Sequence, residues 1–340
     1  MAGHPAPLIL TLDIGSSSTR AMLFDASGAA VAGAAAQVKY ELATSADGGS
    51  ELDAERMLLR VAACLDELLH EAGALAGQIG AVALDTFVGN VLGVNGDGQA
   101  VTPVYTWADT RAAPWAAELR RQLDGAAVWQ RTGCPLHSSY LPARLAWLAA
   151  ERPRLFGAAR RWLSFGEFVL ERFCGRGRLS TSVASWGGLL DRRALAWDAE
   201  LLAALPIEAG QLGEPVDASE SIEGLAPEFA PRWPALRAVP WFPAIGDGVG
   251  SNLGCGAAGP ERVALNLGTS GALRVVAGAV ERVPEGLWCY RVDARRSLLG
   301  GSISNAGNLF AWLRETLRLP DQELFEAQLA AAEPAGHGLV

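Results

Sequence analysis

The sequence predicts an α/β protein with mixed sheets, and three observations predict it. Apolar runs of strand length alternate with amphipathic stretches of helical length. The segment "LTLDIGSSSTRAMLFDASG" at 10–28 is matched by "VALNLGTSGALRVV" at 263–276, so that Asp13 falls on Asn266, Gly15 on Gly268, Ser16 on Thr269 and Ser17 on Ser270. Between 206 and 240 the chain is rich in Pro, Glu and Gly with weak periodicity, which marks a domain boundary.

The elements follow in order. Apolar runs at 7–14 and 19–25 are joined by "GSSS", and "AAVAGAAAQV" follows the "DASG" turn, which predicts a β-meander. An amphipathic helix comes next. Met57, Val61, Leu65, Leu68 and Leu69 share one face, and Asp53 stands where an N-cap belongs. "IGAVAL" and "VLGVNGDG" read as strands ending in a turn, and "YLPARLAWLAA" and "LSFGEFVLERFCG" as helices. Beyond 240, "VPWFPAIGDGVGSNLGCGA" reads as strand, turn and helix, and "RVALNLGTSGALRVV" as a hairpin. "SLLGGSISNAGNLFAWLRETL" reads as strand, Gly-rich turn and helix.

Composition narrows the function. The chain has 340 residues, half of them hydrophobic, enough for a large core and more than one domain. A net charge of −9 with no basic stripe argues against nucleic-acid or membrane-surface binding. The most hydrophobic window, "ALAGQIGAVALDTFVGNVLGV", holds Gln78, Asp85 and Asn90 and reads as buried strands, not a membrane span. The start lacks a basic region and its apolar run is cut by Asp13, so no signal peptide is expected. Cys64, Cys134, Cys174, Cys255 and Cys289 form no close pairs, and reduced, buried thiols in a cytoplasmic protein are expected.

The repeated hairpin carries the chemistry. A turn of glycine and small hydroxyl residues lets backbone N–H groups approach an anion closely. One such turn is weak evidence. Two suggest a pair of clamps on one phosphate chain, with Ser16 and Thr269 facing each other. An acidic Asp13 beside a phosphate cradle makes sense only with a divalent cation between them. A dinucleotide site is rejected, because the single Gly15 leads back into a strand instead of opening a helix.

The segments "LTLDIGSSSTRAMLFD", "TPVYTWADTR", "RTGCPLHSSYLPARLAWL", "PAIGDGVGSNLGCGA", "ALNLGTSGA" and "GGSISNAGNLFAWL" resemble, in that order, the FGGY carbohydrate kinases. "TWADTR", "RTGCPLH" and "GLWCYR" look most like the gluconate kinase branch. The resemblance runs over essentially the whole chain. It implies the actin/hexokinase-like (ribonuclease H-like) ATPase fold, with a sugar-binding domain at 1–240 and part of a nucleotide-binding domain at 241–340. It implies ATP and magnesium, and phosphorylation of a hydroxyl on a sugar, polyol or gluconate-like sugar acid.

Carried over by position, the resemblance puts phosphate contacts at Gly15, Ser16, Ser17, Gly268, Thr269 and Ser270, with Arg20 near the transferring phosphate. Asp13 becomes the magnesium-side carboxylate and Asp247 the general base. A carboxylate in that role orients a poor nucleophile and accepts its proton. Without the resemblance, the Asp-Gly pair at 247 would be read as a turn or N-cap. Trp107, Asp109 and Arg111 are expected at the sugar. Trp107 would be an apolar wall, and Arg111 either a partner for a carboxylate or half of an internal salt bridge with Asp109. His137 is expected to be a packed loop residue.

Two departures stand out. Related kinases often carry a Met-His pair where this chain has Val88 and Gly89, which leaves Asp85, Asn90 or a bulkier polyol to make good the difference. The chain also ends at "GHGLV", before the Gly-rich segment that holds adenosine. Weak ATP binding, no turnover by the chain alone, a poorly anchored 320–340 and self-association, in the simplest case a homodimer, are expected on that account. The rivals are a non-catalytic sugar-binding remnant and an actin-like ATPase with a protein partner.

Overall fold

A computed structural model describes residues 6–268, 270–303 and 306–333. The expectations for Thr269 and for 334–340 lie outside the described residues. The meander forms as read. Leu8–Ile14, Ser18–Phe24 and Ala30–Lys39 pair antiparallel in chain order. Leu8, Leu10, Leu12 and Ile14 are fully buried, the alternation of a strand with one face on the core. The Ala54–Ala72 helix packs on the second and third of these strands. Asp53 caps it by accepting the Arg56 N–H at 2.8 Å, and Met57, Val61, Leu65 and Leu68 are buried.

Ile79–Thr86 pairs parallel with Leu8–Ile14. The first sheet then runs in the order Ile222–Glu223, Pro240–Trp241, Ile79–Thr86, Leu8–Ile14, Ser18–Phe24 and Ala30–Lys39, with Ile245–Gly246 also on Ile79–Thr86. Its parallel centre gathers strand C-termini at one edge, where ligands of α/β proteins bind. Within 206–240, Ile222, Trp233 and Leu236 are buried in the first core, and the sheet continues to Gly246. Two-residue strands and short turns leave no period to read.

The second sheet is antiparallel, in the order Val263–Leu267, Gly271–Ala277, Ser297–Ile303 and Trp288–Arg291. Its core is small, built from Val249, Val276, Tyr290, Val292 and Leu298 among others. Its edge strand is bare, with Leu265 63 % and Leu267 69 % exposed. The Gln322–Ala331 helix buries none of its residues. No helix among the described residues is long and apolar enough to cross a membrane. All five cysteines are free. Four are buried, but Cys255 is exposed, contrary to expectation, because it ends the Asp247–Gly254 helix at the surface.

Candidate active site between two hairpin turns

Strand register assembles three carboxylates. Asp13 lies opposite Asp85 in the parallel pair, and Ile245 lies opposite Asp85 on its other side. Asp247 follows two residues later, at the start of its helix. Burial, then the neighbouring Asp13, and more weakly Asp247, hold the Asp85 carboxyl up at about 8. Asp247 is raised to about 6, first by burial. The Gly248 N–H, donating to its Oδ1 at 2.7 Å, and the Arg274 charge pull the other way. Asp247 remains open to solvent from one side while protein encloses the rest. A carboxylate near neutrality and open to a cleft is suited to accept a proton.

The first turn is held from beneath by Tyr40. Its hydroxyl donates to the Gly15 carbonyl at 2.6 Å and meets Thr19 Oγ1 at 3.1 Å. Burial pushes the Tyr40 hydroxyl up to about 12, so it remains a donor. The Gly15 N–H closes the turn on the Ser18 carbonyl at 2.9 Å, and a Cβ at Gly15 would stand 3.0 Å from that oxygen. In the second turn the Gly268 N–H donates to the Ser270 carbonyl at 3.0 Å, and the Gly307 N–H to the Gly268 carbonyl at 2.8 Å. Arg20 reaches Asp13 at 3.5 Å, both half-exposed.

Between the turns lies a cavity of about 380 Å³, the size of a small-molecule site. Ser16 from the first turn and Ser270 from the second both line it, with Asp247. Its aromatic wall is a stack. The Trp186 and Tyr290 rings lie 3.7 Å apart between centroids, and those of Tyr290 and Trp288 4.6 Å apart. Trp107, 50 % exposed, also lines the cavity. Gly246 lets Trp186 approach: a Cβ there would come within 2.8 Å of the indole nitrogen.

Among the described residues no three His, Cys, Asp or Glu side chains gather closely enough to hold a metal alone. Asp13 offers a carboxylate beside a phosphate-type turn, and Asp85 a second once a bound cation displaces its proton. Magnesium is commonly held by one or two carboxylates plus phosphate and water, so this donor set fits a magnesium–nucleotide.

The model of the FGGY carbohydrate kinase N-terminal domain matches residues 8–254. The chain belongs to the FGGY family of carbohydrate kinases. It is 27 % identical over 313 residues to a gluconokinase of Bacillus subtilis, covering 90 % of this chain and 59 % of that protein. It is 28 % identical to a xylulose kinase of Streptomyces rubiginosus over 297 residues, covering 87 % of this chain and 60 % of the relative. The fold superposes on a gluconate kinase of Lactobacillus acidophilus with a TM-score of 0.89 at 27 % identity, covering 97 % of this chain and 66 % of that one. The chain spans about 60 % of the length of the curated relatives it matches.

Within this FGGY chain the expected sugar contacts separate. Trp107 and Asp247 line the cavity; Asp109 and Arg111 do not. Arg111 is engaged by Asp109 and Glu51, and its guanidinium carbon stacks 4.6 Å from the Trp147 ring centre. Asp109 is buried and also accepts the Ser50 N–H at 3.2 Å. The pair braces a loop, and the carboxylate partner expected at Arg111 has no open guanidinium to meet. The "DTR" spacing could not show which way the guanidinium turns. His137 bonds to Ser139 and stays out of the cavity wall, but it is exposed and not packed as expected.

Nor does Asn90 replace the missing Met-His pair. Its amide is spent on the Phe87 carbonyl and the Phe165 N–H. Gly89 has φ 64°, and a Cβ there would stand 3.1 Å from both Trp107 Cβ and the Ser139 carbonyl, so no large side chain fits. Two arginines escaped the sequence reading. Arg144, fully buried in the Leu141–Glu151 helix, donates to the carbonyls of Gly89 at 2.6 Å, Thr106 at 2.8 Å and Ser138 at 3.3 Å. It ties three loops around the cavity. Arg274 lines the cavity itself. A signal existed: in the Gly271–Ala277 strand, period 2 puts Arg274 on the face of the buried Val276.

Proposed function

We propose that the chain takes part in ATP-dependent phosphorylation of a hydroxyl on a polyol, sugar or gluconate-like sugar acid, with Asp247 as general base. One observation carries it: Asp247, held at about 6, opens into an aromatic cavity whose rim takes Ser16 from one hairpin turn and Ser270 from the other. The acceptor would lie along the Trp186–Tyr290–Trp288 wall with a hydroxyl toward Asp247. Asp247 orients that hydroxyl and takes its proton as the phosphoryl group arrives. Gly15, Ser16, Ser17, Gly268, Thr269 and Ser270 would cradle the phosphates through backbone N–H and hydroxyl groups, with Arg20 beside them. Asp13, with Asp85, would hold magnesium, which when bound offsets the charge building on the phosphates. Holding acceptor and donor in line supplies much of the remaining rate. A cytoplasmic setting belongs to this reading, since all five cysteines are unpaired.

Turnover of Asp247→Asn in a full-length version tests the role of the base. The substitution keeps the shape and removes the proton acceptor. Transfer should fall about 10²–10⁴-fold while the dissociation constant for sugar stays within a few-fold. The activity that remains in the wild type should rise as pH climbs through about 6, where Asp247 loses its proton. Variant turnover within tenfold of wild type would move the base elsewhere.

A further inference from the structure

Arg274 is the cationic side chain among the described residues lining the cavity. It makes no ion pair and no side-chain hydrogen bond among the described residues, and its Nε is buried without a partner. The guanidinium carbon would stand 3.4 Å from a Cβ placed at Gly248, so it lies over the start of the Asp247 helix. It feels the Asp247 charge without bonding to it. Burial lowers its affinity for a proton, yet a guanidinium stays charged. A half-buried guanidinium with no protein partner on its buried Nε keeps its outer donors free for a ligand in the cavity.

The surroundings indicate what that is. Arg274 faces Gly300 across the sheet, and Trp288 faces Gly300 from the other side. Gly300 has no side chain, and a Cβ there would come within 2.5 Å of the Trp288 ring, so the indole lies across it toward Arg274. The guanidinium therefore sits at the edge of the Trp186–Tyr290–Trp288 wall, on the side proposed for the acceptor. A planar fork of donors beside an apolar wall matches a ligand with a carboxylate at one end and a carbon chain behind it.

We propose that Arg274 is a specificity-determining residue that pairs with the carboxylate of a sugar acid, leaving a hydroxyl of the same molecule at Asp247. This rests on the reading that the cavity holds the phosphoryl acceptor.

Calorimetry on the 340-residue chain, with D-gluconate and the matching polyol D-glucitol as probes and no nucleotide, tests it. Arg274→Met should weaken gluconate roughly 10- to 100-fold, the loss of a charged hydrogen-bonding pair, and change glucitol less than about 3-fold. Arg274→Lys, which keeps the charge and loses the fork, should lose gluconate preferentially but by less, and supplies the comparison if the Met variant does not melt like the wild type. Equal loss of both ligands in a variant of unchanged melting temperature overturns the proposal, as does unchanged gluconate affinity. In a separate titration with ADP, a loss of ADP affinity in Arg274→Met while gluconate is unchanged overturns it in favour of a role at the phosphoryl donor. Wild-type protein that binds neither probe fails the acceptor-site reading itself, and the proposal with it. Wild-type protein that binds both alike, with no effect of Arg274→Met, fails only the proposal.

Discussion

Asp85 shows how a single side chain can work against the fold for the sake of a site. Its carboxyl is held at about 8 against an ordinary 3.8. Between about pH 4 and 8 the folded chain therefore keeps a proton that the unfolded chain has released. Proton linkage then lowers stability as pH rises through that window. Asp85→Asn cannot titrate, so its melting temperature should exceed that of the wild type at pH 8 and fall less between pH 5 and 8. Parallel melting curves across that range would place the raised carboxyl elsewhere. At this scale the sequence was legible where chemistry is local. Asp13, Gly15 and Ser16 could be named from a motif a few residues long, whereas Asp247 and Trp107 needed the family resemblance as well. Arg274 and Arg144 could not, because their meaning comes from partners far along the chain: Gly248, Trp186 and Trp288 for one, and Gly89, Thr106 and Ser138 for the other. For Arg111 the sequence left two readings open, and the internal pair with Asp109 is the one that forms, with Glu51, 60 positions away, as a further partner.

Among the elements, the Leu141–Glu151 helix does most to shape the cavity, through one side chain. Burial lowers the Arg144 guanidinium to about 10, so it remains charged while bonding three carbonyls. Arg144→Met leaves those carbonyls unsatisfied and should cost on the order of 3 kcal/mol. It should also loosen the loops that carry Gly89, Trp107 and Ser139, so sugar affinity falls even below the melting transition. Urea titration and calorimetry check both. Unchanged stability would mean that water replaces the guanidinium without loss. Long, periodic elements were readable: the meander, the capped Ala54–Ala72 helix and the hairpin at 263–276 all form where the pattern put them. The Ile222–Glu223 and Pro240–Trp241 strands were not, since two residues carry no alternation and their pairing is set by Ile79–Thr86 across the sheet.

The whole molecule is uneven. The first sheet is closed by a large core, whereas the second leaves Val263, Leu265 and Leu267 exposed on an edge strand with unpaired backbone. Trp312 and Leu324 add exposed apolar area on the helices that follow. An edge of that kind favours association. Sedimentation should show concentration-dependent self-association, reduced in Leu265→Lys. A monodisperse monomer at high concentration would show that this edge is tolerated in water. Two hairpin turns meeting at one cavity is the arrangement on which the functional reading stands, and the fate of a labelled phosphate tests it most directly. A full-length version of the chain is incubated with γ-³²P-ATP, magnesium and a panel of polyols, sugars and aldonates, beside Asp247→Asn. The label is predicted on a sugar phosphate with the wild type and reduced at least a hundredfold with the variant. Label released as inorganic phosphate regardless of sugar, or no transfer while sugar still binds, would contradict it.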